Sequence, residues 1–496
     1  MGNHLMKDPL ARAEETLDPS DWEPLRQLSH QIIDDAVDYL RDVRKRPLWQ
    51  NMPDQVREEF ATGVPEKPRP IESVYQDLVE NLMPYPMGNI HPQFFMWYMG
   101  SSNYTGALGD FLAAILGSNL GGGDHAASLI DRQVVNWLKQ MVGFPEDASG
   151  TLVSGGSMAN IIALTVARNA MADADIREQG IGGLEKPLRY YTSDQVHSCH
   201  QIGMELLGLG NSALRRIPSL PDCTIDISPL EKAIAEDRAA GFIPACVIGS
   251  AGTVNTGAVD DLPALGDICR RENMWFHVDG CIGALLAIAP MNKHKVAGME
   301  AAHSIALDPH KSLHAPFEVG CVLVRDFEVH RGTFALTPEY LENTSRGIAA
   351  APWLHDFGTQ TSRGFRALKV WMSLQEHGIE KFGRLIDQNI EQATHLSNKI
   401  EADPLLELML EPSLNIVCYR YNPGNSSEEE LKDINLEIMM QMQEAGAAAV
   451  SDTTVNGRHF LRAAIANHRT INEDLDLLAT ETVRLGNSIV EKSKAV

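Results

Sequence analysis

Trp275-Phe276-His277-Val278-Asp279-Gly280 and, a short way on, Ser304-Ile305-Ala306-Leu307-Asp308-Pro309-His310-Lys311 decide how this chain folds. Each is a brief apolar run that stops abruptly at charged residues. Short runs of this kind, bounded by Gly or Pro, predict strands over Met274–Val278 and Ser304–Leu307. Comparable runs recur at Gly150–Val153, Leu188–Thr192, Ala245–Ser250 and Cys321–Val324, with helical segments between them. Strands alternating with helices predict an α/β domain around a mostly parallel sheet. Ligands of such sheets gather at the carboxyl ends of the strands, where Asp279 and Lys311 fall.

Toward the N-terminus, Trp22, Leu25, Leu28, Ile32 and Ile33 recur near i, i+3, i+4 spacing and predict an amphipathic helix. Pro65, Pro68 and Pro70 end that pattern. Residues 1–100 therefore read as a helical segment that packs on a partner, and residues 101–378 as the large α/β domain. Residues 379–496 read as a smaller α+β domain, with strands at Asn415–Tyr421 and His459–Ile465 and a helix over Leu431–Ala445 between them. A chain of 496 residues exceeds one ordinary core. Its 44% hydrophobic content is that of a soluble globular protein. No run reaches the roughly 18 apolar residues of a membrane span; Gly283–Ala289 stops at Pro290. The N-terminus lacks the apolar core and cleavage site of a signal peptide. Met6 occupies the place where a myristoylation motif at Gly2 needs Ser or Thr. Seven cysteines without paired spacing point to reduced thiols and a cytoplasmic location. Lys+Arg of 42 against Asp+Glu of 66 gives a net charge of −24, which argues against nucleic acid and anionic membranes as partners.

Four features at predicted strand ends carry chemistry. Ser154-Gly155-Gly156-Ser157-Met158 precedes a helix starting near Asn160. Glycines let the backbone approach an anion, and a helix N-terminus offers free N–H groups; the form is a phosphate cradle, or else a plain helix cap. His197, in Thr192-Ser193-Asp194-Gln195-Val196-His197-Ser198, is either structural or functional. Cys199 and His200 beside it bring metal-ligating atoms, but no further cluster completes a tetrahedral set, so no metal is expected. Asp279 is either a cap or a functional acid. Lys311 ends a buried strand, a costly place for an amine unless it is paired or chemically used. A Schiff-base lysine, its pKa lowered before it reacts, satisfies that condition; a surface-loop lysine is the alternative. His310 offers a donor next to it.

In chain order these are a phosphate loop, a histidine, an aspartate and a lysine. Together with His91-Pro92-Gln93-Phe94-Phe95 and Phe365-Arg366-Ala367-Leu368-Lys369-Val370-Trp371, they make the chain resemble the group II PLP-dependent amino-acid decarboxylases. That family includes the aromatic L-amino-acid, histidine, glutamate and cysteine sulfinate decarboxylases. The resemblance runs from about His91 to about Gly378. It implies the aspartate aminotransferase-like fold type I, pyridoxal 5′-phosphate (PLP) as cofactor, and a homodimer with active sites at the interface. The implied reaction is decarboxylation of an L-amino acid to its amine and carbon dioxide. Residue by residue, it implies that Lys311 carries the cofactor as a Schiff base and that Asp279 faces the pyridine nitrogen. His197 stacks on the ring, Thr253 lies near it, and Gly156, Ser157, Met158 and His310 bind phosphate. Tyr340, in the segment Leu336–Trp353, matches the tyrosine of the family's mobile loop, which reprotonates Cα. His91, Phe94, Trp97 and Arg363 are candidate substrate contacts.

Two departures bear on the substrate. Ser312 stands where aromatic decarboxylases usually carry an aromatic residue, and Gly121-Gly122-Gly123-Asp124-His125 replaces a segment with aromatic side chains. Both remove apolar surface that clamps a ring. The Phe365–Trp371 segment favours an aromatic substrate, with a small polar or acidic amino acid as the alternative. An aminotransferase or aldolase shares Lys311 and Asp279; an aminotransferase also needs a dedicated arginine, for which Arg363 is the candidate. Tyr340 and its loop favour decarboxylation. A non-catalytic regulator with this fold is expected to have lost the PLP residues. Neither a Walker nor a dinucleotide pattern is present.

Overall fold

The computed structural model describes residues 15–336, 345–350 and 353–494. It divides into two compact units, one formed by the chain up to Pro47 with Asn51–Pro86, the other by Leu48–Gln50 with Met87 onward. The first unit is helical: Glu23–Arg41, Asp54–Glu59 and Ile71–Asn81. The amphipathic helix predicted from Trp22–Ile33 is the first of these. Pro70 caps the third, where its missing N–H costs nothing. The Tyr75 hydroxyl donates to Asp35 at 2.7 Å and ties the third helix to the first.

The second unit carries two sheets. Its strands are β1 (Phe94–Phe95), β2 (Ser149–Val153), β3 (Leu188–Ser193), β4 (Leu214–Ile217), β5 (Ile243–Ser250) and β6 (Trp275–Asp279). They continue with β7 (Ser304–Leu307), β8 (Gly320–Val324), β9 (Leu406–Leu408), β10 (Ile416–Tyr421), β11 (Ala449–Val455) and β12 (Arg458–Ala464). The larger sheet has the order β2-β8-β7-β6-β5-β3-β4. Neighbours from β7 to β4 are parallel; β8 and β2 close one side antiparallel. The central strands are buried on both faces, as parallel sheets require. The helix Gly156–Met171 packs across β5 to β8, and its buried Ala159, Ala163 and Ala167 permit close approach.

Register then positions the chemistry. Ser250, Asp279 and Ala306 sit in one row across β5, β6 and β7, so these strands end level with one another. His277 knits the row below: its ring nitrogens meet Ser304 Oγ at 2.9 Å and Asn160 Oδ1 at 2.7 Å, and burial pushes its pKa down to about 3.

The smaller sheet has the order β1-β11-β12-β10-β9. The helices Glu428–Glu444 and Asn472–Lys494 accompany it. Its β1 pairs parallel with β11, Phe94 opposite Ala449, so Phe94–Phe95 share a sheet with the C-terminal strands although residues 1–100 read as one segment. The boundary drawn at residue 378 falls on a kink in the helix Ala367–Ala402, where Gly378 takes φ +70°. That left-handed conformation favours glycine.

Candidate active site

A cavity of about 670 Å³ lies at the carboxyl ends of β5, β6 and β7. Its walls include Ser154–Met158 after β2, His197 after β3, Thr253 after β5, Asp279 ending β6, and His310 with Lys311 after β7. The structure therefore brings together all the strand-end residues singled out in the sequence. Thr253 is held by its neighbours: its hydroxyl lies 3.0 Å from that of Thr256 and accepts the Ala258 N–H.

Lys311 sits in the single turn Pro309–Ser312 that follows β7. Its Nζ lies 2.9 Å from Asp308 Oδ2. Burial works against the charged amine, but Asp308, Cys281 and Asp279 more than offset it, so the pKa lies above the ordinary lysine value. This reverses the expectation of a lowered pKa for the free site, and Asp308 is the reason. The other Asp308 oxygen, Oδ1, is buried with no hydrogen-bond partner among the described residues.

Asp279 accepts from both sides. His200 Nε2 is 2.9 Å from Oδ2, and the Cys281 N–H reaches Oδ1 at 3.2 Å. Burial alone would favour the neutral acid, but His200 and Cys281 outweigh it and hold the carboxyl well below its usual range. Asp279 is therefore an anion at a strand end. His197 Nδ1 accepts the Cys199 N–H at 3.1 Å, which assigns the ring proton to Nε2. Burial lowers the His197 pKa and keeps the imidazole neutral. Ligand atoms of Cys199, His200 and Asp279 lie within 4.8 Å of one another. They make three donors, not four, and the His200–Asp279 hydrogen bond already joins two of them. Burial pushes the Cys199 thiol up, so it keeps its proton.

The cradle is built from close approach. A Cβ on Gly156 would lie 2.4 Å from Cys281 Sγ and 2.7 Å from Asp308 Oδ2, so only glycine fits there. Gly156 begins the helix Gly156–Met171, whose first N–H groups have no partner within the helix. His310 closes the cradle, its ring 4.6 Å from that of Phe317 and its Nδ1 accepting the Val319 N–H at 3.3 Å. A glycine cradle at a helix N-terminus, an orphaned buried oxygen, an amine and an anionic carboxylate fit a cofactor with a phosphate, a carbonyl and a ring nitrogen. These are the parts of PLP.

The opposite wall comes from elsewhere: Trp97, Tyr98, Ser451, Asp452 and Arg462. Arg462 is nearly fully buried. It donates to Trp97 O at 2.6 Å, Val254 O at 2.7 Å, Asn255 O at 2.9 Å and Ser451 Oγ at 3.3 Å. These four bonds leave one of the guanidinium's five N–H groups unassigned, and no carboxylate pairs with it among the described residues. Burial lowers its pKa. Sequence reasoning missed Arg462; the available signal was an arginine inside the apolar run Phe460–Ile465. Tyr98 turns its hydroxyl to Asn415 and its ring toward Lys311, whose Nζ is 5.9 Å from the ring centre.

Of the candidate substrate contacts, Trp97 lines this cavity; His91, Phe94 and Arg363 do not. Phe94 packs with Leu48 and Ala449 in the smaller sheet's core, and the His91 carbonyl accepts from Asn467. Arg363 spends its guanidinium on Leu120 O, Leu152 O and Thr151 Oγ1, with Asp131 at 3.6 Å. Those bonds and its place outside the cavity exclude Arg363 as a carboxylate-binding arginine; Arg462 stands in the cavity instead, so an arginine by itself does not separate an aminotransferase from a decarboxylase. The glycine run has a structural counterpart: a Cβ on Gly122 would lie 2.4 Å from the Trp353 ring, so the missing side chain makes room for an indole. Tyr340 lies outside the described residues.

Comparison with known proteins follows the same lines. Residues 53–422 match the family described as the pyridoxal-dependent decarboxylase conserved domain. The chain is similar to an aromatic-L-amino-acid decarboxylase of Bacillus atrophaeus, 34% identical over 91% of this chain and 93% of that one. It is also similar to tryptophan decarboxylase 2 of Oryza sativa subsp. japonica, 28% identical over 93% and 94%. A crystal structure of Oryza sativa TDC with PLP and tryptamine superposes with a TM-score of 0.88, covering 96% of this chain and 100% of that chain at 26% identity.

Proposed function

The chain belongs to the pyridoxal-dependent decarboxylase family, and on that premise we propose that its substrate is an aromatic L-amino acid, processed by a homodimer in the cytoplasm. The enzyme is a PLP-dependent carboxy-lyase that releases an amine and carbon dioxide. The observation that carries the aromatic reading is the charge of the substrate wall. Arg462 is the one arginine among the described residues lining the cavity, and Asp452 is the acid on the same wall; Glu318, elsewhere in the lining, is paired with Arg366. One arginine serves one carboxylate, the one every amino acid carries; a second carboxylate on the side chain meets like charge. Trp97 and Tyr98 offer flat apolar surface instead.

Each residue then has a task. Lys311 would hold the cofactor covalently, Asp279 would present its anion to the ring nitrogen, and Gly156, Ser157 and Met158 with His310 would hold the phosphate. Thr253 would contribute to the cofactor wall of the cavity. When bound, PLP supplies an electron sink for the bond to the departing carboxylate. Arg462 and the Nε2–H of His197 bind and orient that carboxylate. Tyr340 delivers the proton that completes Cα. The helix Tyr104–Leu116 leaves Phe111, Leu112, Ile115 and Leu116 exposed, an apolar face suited to a second copy. A fully active monomer in sedimentation would reject that part. Seven unpaired cysteines suit a reducing compartment, and no helix among the described residues is long and apolar enough to cross a membrane.

Amine and carbon dioxide release from a panel of L-amino acids tests the substrate. Tyrosine, tryptophan or phenylalanine is expected to exceed glutamate, aspartate and serine in kcat/KM by about tenfold or more. Faster turnover of glutamate or serine would overturn the aromatic reading and leave decarboxylation standing.

A further inference from the structure

We propose that His200 is a positioning residue for the reaction, fixing the Asp279 carboxylate through its Nε2–H so that the anion meets the cofactor's ring nitrogen in one orientation. The inference rests on the role given to Asp279 above. His200 follows His197 by three residues, at the start of the helix Cys199–Leu206. One turn of chain thus sends His197 to the cavity wall and His200 to the carboxylate at its base.

His200 is wholly buried, and its Nε2 lies 2.9 Å from Asp279 Oδ2. An ionised carboxylate only accepts, so the hydrogen of this bond belongs to Nε2. Nδ1 points the same way: it is buried without a hydrogen-bond partner among the described residues, and an N–H there would be stranded. The Cys281 backbone N–H engages the other oxygen at 3.2 Å. Each oxygen therefore has a donor. Without the imidazole, one oxygen is released and the carboxylate is free to turn about its Cβ–Cγ bond. The other titratable groups around it are His197 and Cys199 beside the helix start, His277 and Cys281 along and after β6, and Asp308 with Lys311 after β7.

Two amide variants separate donation from bulk. Glutamine places an N–H near the position of Nε2, whereas asparagine places it near Nδ1, short of Asp279. The direct readout is the 15N shift of ring-labelled PLP on the holoenzyme, followed against pH, with kcat and KM measured alongside. In His200→Asn the ring nitrogen is expected to lose its proton about one pH unit earlier, with kcat down about tenfold and KM within about twofold. His200→Gln is expected to stay within about twofold of the parent enzyme. Indistinguishable titrations of the two variants, both normal or both shifted, would overturn the inference. If the asparagine variant does not fold, His200→Leu, which keeps bulk and removes the donor, takes its place: a shift there beside an unshifted His200→Gln sustains the inference, and no shift there overturns it. Asp279→Asn separates the two levels. If it moves the titration and His200→Asn does not, His200 alone is excluded; if it moves nothing, the Asp279 role fails and the inference with it.

Discussion

The two walls of the cavity are built differently. The cofactor wall comes from turns that each follow a strand of one sheet, so Gly156, His197, Asp279 and Lys311 lie within a few residues of β2, β3, β6 and β7. The substrate wall joins Trp97 to Ser451, Asp452 and Arg462, more than 350 residues further along the chain, and the two segments meet because β1 pairs with β11. On the first wall, backbone geometry positions the chemistry. On the second, one long side chain does so, clamped by three carbonyl oxygens of distant segments. A rigid sheet edge tolerates little change, whereas a wall held by side chains is where substrate choice can drift.

If that contrast is sound, the largest effect belongs to Lys311→Ala. Turnover is expected to fall by about 10³-fold or more, because the covalent anchor and the amine chemistry disappear together. Borohydride reduction of the parent holoenzyme followed by peptide mapping checks the assignment. A pyridoxyl label on any other lysine would move the cofactor wall elsewhere.

Arg462→Lys probes the second wall. Lysine keeps a charge but lacks the fork that meets Trp97, Val254 and Asn255 together. A hydrogen bond to a charged group contributes about 1.5–3 kcal/mol, so KM is expected to rise roughly 10- to 100-fold. Cofactor affinity should stay near that of the parent. The amine product, which has lost the carboxylate, should inhibit the variant and the parent alike. Equal weakening of product binding would show that Arg462 shapes the cavity without binding the carboxylate.

The same contrast explains what was legible in the sequence. All six strands expected in the larger domain are present, because each is a short apolar run between turn residues. Its edge strand β4 was hidden by Arg215 and Arg216, of which Arg215 reaches out to Glu236 and Asp237. In the smaller sheet, β11 was hidden by its polar run Ser451-Asp452-Thr453-Thr454, and β1 is only two residues long. The cofactor residues announced themselves as glycines and charges at strand ends. Arg462 could not, since its role depends on carbonyl oxygens more than 200 positions away. His200 looked like a doubtful metal ligand because its partner, Asp279, is 79 positions distant. Arg363 looked available because nothing local shows the carbonyl groups that enclose it.

Asp452→Asn is expected to have the smallest effect and makes the finest distinction. Asp452 lines the cavity on β11, is partly exposed, and holds His459 Nε2 at 3.1 Å. Only Asp452 of this pair is exposed; His459 is buried, and because asparagine keeps an oxygen that can accept the Nε2–H, the variant should fold normally. Its charge still acts on what enters the cavity. Across several ångströms of partly solvated space, one charge changes the energy of another by about 1 kcal/mol or less. Removing it should raise kcat/KM for glutamate by roughly three- to fivefold and leave the best aromatic substrate within about twofold. The effect should shrink as salt is added, since screening acts on partly exposed charges. Equal gains for both substrates, or a gain indifferent to salt, would mean that Asp452 acts through packing. The apolar faces of Trp97 and Tyr98 would then have to exclude acidic side chains unaided.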